Sequence, residues 1–108
     1  MLRKYHFDVA VAPEIPVSYI DFYTSGGIGH ILGIYIDKEN RFTDTGSELV
    51  KHALKVLEKS GCHKAKAIVY SYNSPALSFF RSNSFKESTT FFDDEFHRDV
   101  VIMIRFIL

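Results

Sequence analysis

From Ile31 to Ile36 (ILGIYI) the chain is apolar almost without a break. A strand with one wet face alternates, so this run reads as a strand buried on both faces. The segment from Asp37 to Asp44 is polar and reads as a loop. From Thr45 the period changes. Leu49, Val50, Ala53, Leu54, Val56 and Leu57 recur at steps of three and four residues, the apolar stripe of a helix, with Lys51, Lys55, Glu58 and Lys59 on the other face. Thr45-Gly46-Ser47-Glu48 has the spacing of a capping box, and Gly61 supplies the stop. A second strand from Lys66 to Tyr72 completes a βαβ unit whose two strands are expected to be parallel. The start of such a helix attracts anions, because free N–H groups and the helix dipole point there.

Around this unit the chain divides into shorter pieces. Tyr5 to Ala12 and Val17 to Thr24 both alternate and read as strands, with Pro13 and Pro16 bracketing the turn between them. Ser25-Gly26-Gly27-Ile28-Gly29 is a hairpin turn into the central strand, whose first residue is His30. After Tyr72, Ser74 is placed to cap a second helix with Pro75 at its first position. That helix runs to about Ser82, burying Ala76, Leu77, Phe80 and Phe79, and Asn83 takes the left-handed conformation that ends it. Phe85 anchors a short strand, Thr89 to His97 is a loop, and Val100 to Leu108 is the last strand. The expected order is β-β-β-α-β-α-β-β, an α/β (α+β) fold with a mixed central sheet, in a single domain over residues 1–108.

Composition narrows the function. Thirteen basic residues balance thirteen acidic ones, which removes the footprint expected for nucleic acid or an anionic membrane. Lys51, Lys55, Lys59, Lys64 and Lys66 gather near one helix, where a solvated helix face accounts for them. A single cysteine, Cys62, allows no internal disulfide; with no long apolar span, the expectation is a cytoplasmic protein off the membrane. Asp93, Asp94, Glu95 and His97 lack the ligand spacing of a metal site and read as a hairpin turn.

Two stretches carry a resemblance. Ile34-Tyr35-Ile36-Asp37-Lys38-Glu39-Asn40-Arg41 resembles the fourth strand and the approach to the pyrophosphate loop of the acyl-CoA-dependent N-acyltransferases of the GNAT superfamily. The stretch from Asn73 to Phe85 (NSPALSFFRSNSF) is similar to that family's second signature, in which an Asn, an Ala, an aromatic pair and a terminal Gly-Phe recur at these spacings. The resemblance starts at Tyr5, at the family's second strand, so the chain reads as a truncated member without the front strand and helices. One sheet face is then expected to be uncovered, and a homodimer is expected to bury it.

The resemblance implies an N-acetyltransferase that passes an acetyl group from acetyl-CoA to the amine of a small molecule or peptide by direct attack. It assigns the acyl carbonyl and pantetheine arm to Ile34, Tyr35 and Ile36, and the pyrophosphate to Arg41 with the amides of Phe42, Thr43, Asp44, Thr45, Gly46 and Ser47. Asn73 and Phe80 complete the cofactor side. Two departures accompany it: Phe42 and Asp44 replace glycines of the pyrophosphate loop, and Phe80 stands where many members carry a tyrosine that protonates the leaving thiolate. Tyr72 is the substitute acid. His30 is the candidate base: it lies six residues before Ile36, an even spacing expected to put both side chains on one face, and its unperturbed pKa suits the task. The alternative is a non-catalytic module that keeps the fold to bind a CoA thioester or a protein partner.

Overall fold

The computed structural model describes residues 3–9, 18–36, 44–95 and 97–107. Its elements run β1 (Arg3–Val9), β2 (Ser18–Ser25), β3 (Ile28–Tyr35), α1 (Thr45–Lys59), β4 (Lys64–Tyr70), α2 (Ser74–Ser82), β5 (Lys86–Asp93) and β6 (Arg98–Phe106). The expected order of strands and helices is therefore present. The sheet order is β1-β2-β3-β4-β6-β5, and every neighbouring pair is antiparallel except β3 and β4.

Gly26 and Gly27 turn β2 into β3 with φ of +59° and +78°, so Ser25 pairs directly with Ile28. Two successive positive φ angles give a tight turn whose twist matches the strands it joins. From β3 the chain crosses through α1 to β4, and from β4 through α2, past β6, to β5. Both crossovers advance in the same direction across the sheet, and right-handed crossovers then place both helices on one face.

That face holds the core. Ile20 and Phe22 of β2, Ala65, Ala67 and Val69 of β4, and Val101 and Met103 of β6 are buried beneath Leu49, Val50, Ala53 and Leu57 of α1 and Leu77 and Phe80 of α2. Gly29 is what lets α1 come down on β3: a Cβ there would lie 2.4 Å from Cδ1 of Leu57. α1 ends as expected, with Gly61 at φ +82°, its N–H on the Glu58 carbonyl and the Cys62 N–H on the Leu57 carbonyl. Cys62 is buried, and burial raises its thiol pKa.

The opposite face has no helix over it among the described residues. Leu32, Ile68 and Phe106 are 58%, 56% and 70% exposed. The expectation that the central strand is buried on both faces is thus overturned. Its apolar run is continuous because β3 changes phase midway. Pairing goes from Phe22↔Ile31 to Asp21↔Gly33, skipping Leu32, which is the extra residue of a β-bulge. Before the bulge Gly29 and Ile31 face the helices; after it Ile34 and Ile36 do.

Several boundaries also move. The capping box does not form as expected, because Asp44 occupies the N-cap without a side-chain cap bond and Thr45 is already helical. β4 begins at Lys64 and ends at Tyr70, two residues earlier than expected at each end. α2 is capped by Asn73, whose side chain accepts the Ala76 N–H at 3.2 Å, with Ser74 and Pro75 in the first turn. Ser84 rather than Asn83 is left-handed, at φ +68°, and the Phe85 N–H closes on the Phe80 carbonyl. Thr89–Asp93 belong to β5 instead of a loop, since Thr, Thr, Phe and Phe fit a pleated surface, and the turn is confined to the residues after Asp93. β6 starts two residues earlier than expected, at Arg98. The Pro13–Pro16 turn and the loop over 37–43 lie outside the described residues.

Candidate active site

The bulge has a structural consequence next door. β3 and β4 pair only from Ile28↔Lys64 to Ile31↔Ala67, and from Leu32 onward the two strands diverge. The gap is a cleft of about 210 Å³. Ile31, Ile34, Ala67, Val69, Ala76 and Phe80 line it from the helix side, and Leu32, Ile68 and Tyr70 from the uncovered side. The opening therefore passes through the thickness of the sheet. Along it, the edge of β3 that faces β4 carries no ladder bonds to β4, leaving backbone groups able to meet a ligand.

Ile34 thus lies in the cleft. Ile36 follows on the helix side, with its Cδ1 3.4 Å from where a Cβ on Gly46 would be. Tyr35 is on the uncovered side, stacked on Tyr19 at 5.7 Å between centroids. Gly46 itself is buried in the first turn of α1, and a Cβ on it would stand 2.7 Å from Cε1 of Phe79. The glycine lets the start of α1 press against α2 beside the cleft, and Thr45 and Ser47 share that turn. The first-turn N–H groups and the helix dipole make this the natural place for anionic groups on the helix side. Asp44 stands exposed at the same end and adds a carboxylate there. Arg41, Phe42 and Thr43 lie outside the described residues.

Asn73 and Phe80 also line the cleft. Asn73 spends its side-chain oxygen on capping α2. Phe80 packs edge-on against Phe79 and Phe85, with centroids at 5.3 and 5.1 Å. It brings no hydroxyl to the site. Tyr72, expected from the sequence to be the substitute acid, is exposed in the turn after β4, and its hydroxyl accepts a hydrogen bond from Arg98.

His30 does not share a face with Ile36. The bulge at Leu32 shifts the alternation by one residue, so an even spacing ends on opposite sides of the sheet. His30 lies on the uncovered side, stacked on Tyr23 at 4.5 Å and paired in register with Lys66. Its small pocket shares Ile31, Leu32 and Ile68 with the cleft. Burial first, and then the neighbouring Lys66 charge, lower its pKa from the ordinary histidine value, which favours the neutral imidazole.

A sequence profile of the Acetyltransferase (GNAT) family matches residues 3–85. The chain belongs to the GNAT acetyltransferase family. The fold of this GNAT chain is correspondingly close to solved acetyltransferases. It is similar to the ribosomal-protein-S18-alanine N-acetyltransferase from Escherichia coli, at 20% identity and a TM-score of 0.79, over 97% of this chain and 70% of that one. It is also similar to an acetyltransferase from Bacillus cereus, at 15% identity and 0.80, over 97% and 74%. The PaiA N-acetyltransferase from Thermoplasma acidophilum, solved in complex with coenzyme A, matches at 25% identity and 0.72, over 82% of this chain and 52% of that one. Among curated proteins no sequence matches significantly. Among the described residues no helix is long and apolar enough to cross a membrane, which leaves β-barrels aside.

Two features of the GNAT domain escape sequence reasoning. The bulge had one available signal, the isolated Gly33 inside a strand pattern. The second feature is a cation–aromatic group at the mouth of the cleft. Arg98, at the start of β6, lies over the rings of Tyr70 and Tyr72, and the two rings stack at 5.5 Å. No local pattern links Arg98 to residues 26 and more positions earlier.

Proposed function

We propose that the chain is an N-acetyltransferase that passes the acetyl group of acetyl-CoA to an amine by direct attack. The observation that carries this reading is the cleft at the β3–β4 divergence, lined from both faces of the sheet, with the first turn of α1 beside its helix-side mouth. The diphosphate would meet Thr45, Gly46 and Ser47, and the pantetheine arm would run past Ile34 and Ile36. The thioester carbonyl would then sit among unladdered backbone groups, where an N–H can stabilise the tetrahedral oxyanion. The amine enters from the uncovered side, where His30, neutral at pH 7, can take its proton through a water. Nitrogen bonds to the acetyl carbon, the carbon–sulfur bond breaks, and the thiolate takes a proton from Tyr72 or from water.

Thermal melts with and without millimolar acetyl-CoA, using free CoA as control, test the cofactor site. Ligand at a hundred times its dissociation constant stabilises by about 2.7 kcal/mol, which moves the midpoint of a domain this size by roughly 10–20 °C. No shift under saturating conditions sinks the reading. Full turnover by His30→Ala on a known acceptor would remove the base role.

Phe80 without a hydroxyl and Asp44 beside the phosphate position favour a second reading, a module that binds a CoA thioester or a protein partner without turnover. Binding without acetyl transfer, across an acceptor screen, would select it. Exposed Phe106, with Ile104 beside it on β6, supports a homodimer through the uncovered sheet face. A clean monomer in sedimentation at micromolar concentration argues against that dimer.

A further inference from the structure

The cleft crosses the sheet, and the start of α1 marks its helix side for the CoA donor, so the uncovered side is left for the acceptor. We propose that this acceptor is an amine bearing a carboxylate, and that Arg98 is the specificity-determining residue that receives the carboxylate. This rests on the reading of the cleft as the acyl-transfer site.

Tyr70 lines the uncovered mouth of the cleft, and Cζ of Arg98 lies 5.7 Å from its ring centroid and 5.1 Å from that of Tyr72. The Tyr70 and Tyr72 rings stack with an interplanar angle of 15° and centroids 5.5 Å apart, so the guanidinium carbon stands about equally far from both. One N–H of Arg98 is held by the Tyr72 hydroxyl. A guanidinium has five N–H donors, so most of its capacity is uncommitted. Its side chain is exposed, and among the described residues no carboxylate pairs with it. Asp93, its register partner on β5, turns its Oδ1 to the Glu95 N–H at 3.0 Å instead.

Two other arginines are differently held. Arg81 is paired with Glu87, and Arg105 donates to the Asn83 carbonyl at 2.8 Å. Arg98 alone of the three is held by rings and a hydroxyl, which fix its position without neutralising its charge. An arginine already immobilised on aromatic faces loses little freedom when a carboxylate docks on its fork. Leu32 and Ile68 at the same mouth are more than half exposed, which suits an apolar group beside the amine.

The test uses two conjugates in which the CoA sulfur is joined through an acetyl bridge to an amine, that of phenylalanine in one and of phenylalaninamide in the other. They differ only in the charge offered to Arg98, and calorimetry reads their affinities beside that of free CoA. Wild-type protein is expected to bind the carboxylate conjugate about tenfold more tightly, as hydrogen bonds to a charged group would give. Arg98→Gln is expected to reduce that ratio to about one while leaving free CoA affinity and the melting midpoint unchanged. Equal affinities in the wild type, or a ratio that survives Arg98→Gln, would overturn the proposal. If neither conjugate nor free CoA binds, the acyl-transfer reading fails and this proposal falls with it.

Discussion

Adding one methyl group at Gly29 tests how α1 is seated on the sheet. A Cβ at Gly29 would lie 2.4 and 2.5 Å from the two methyl carbons of Leu57 and 2.9 Å from its Cγ. Carbon atoms in good contact are about 3.5–4.0 Å apart, so roughly 1 Å must be found. Leu57 is fully buried and cannot swing into solvent. Forcing a methyl into a packed core costs about 1–3 kcal/mol, and removing a glycine from a strand returns about 0.5–1 kcal/mol. The net expectation for Gly29→Ala is a loss of about 1–2 kcal/mol, a fall in melting midpoint of roughly 4–16 °C for a domain near this size. Leu57→Ala alone should cost about 2–5 kcal/mol, as for other buried leucines. In that background the clash is gone and the Gly29 methyl enters emptied space, so the second substitution should cost nothing or stabilise. Urea unfolding of the four proteins gives the interaction energy, expected at about 0.5–3 kcal/mol. Equal cost of Gly29→Ala in both backgrounds would refute the reasoning.

Other expectations follow from single residues. Ser84→Gly should raise stability by about 0.5–1 kcal/mol in urea unfolding, because a left-handed serine is strained and glycine is not. Asp44→Gly should tighten CoA binding in calorimetry, and with no side-chain cap bond to lose it should shift stability by only a few tenths of a kcal/mol. His30 holds a lowered pKa in the folded state, so below the ordinary value of about 6.5 the unfolded chain binds more protons. Stability should therefore decline as pH falls from about 6.5 toward the folded value, and His30→Phe should flatten that part of the profile of urea midpoints. Phe80→Tyr, which would place a hydroxyl at the cleft wall, should raise turnover by tenfold or more if proton supply to the leaving thiolate is slow. Unchanged kinetics with the fold intact would mean water already serves.

Much of this fold was legible because its signals are local. The 3.6 period from Leu49 to Leu57, Gly61 at the end of α1 and Gly26-Gly27 in the hairpin each specify backbone over a few residues. Capping was less legible. Ser74 and Asn73 are both good caps one residue apart, and only the Ala76 N–H at 3.2 Å from Asn73 decides between them. The extent of β5 was hidden, with Thr89–Asp93 read as loop, because a strand exposed along nearly its whole length has no buried side to impose alternation. The position of His30 was misjudged for a different reason. Counting residues along a strand assumes an unbroken pleat, and Leu32 breaks it.

That same break ties the site together. A one-residue excess in β3 lets β2 keep its pairing on one side, Ile20 to Ile34 and Phe22 to Ile31, while β3 turns away from β4 on the other. It sends Ile34 and Ile36 toward α1, where a CoA arm would lie, and leaves His30, Leu32 and Tyr35 on the side where an amine would arrive. An unbulged strand with this sequence would ladder onto β4 to its end and close the cleft. The apolar run ILGIYI is thus two half-strands of opposite phase, joined at Leu32-Gly33. The feature that made it resemble a fully buried strand is the one that parts β3 from β4.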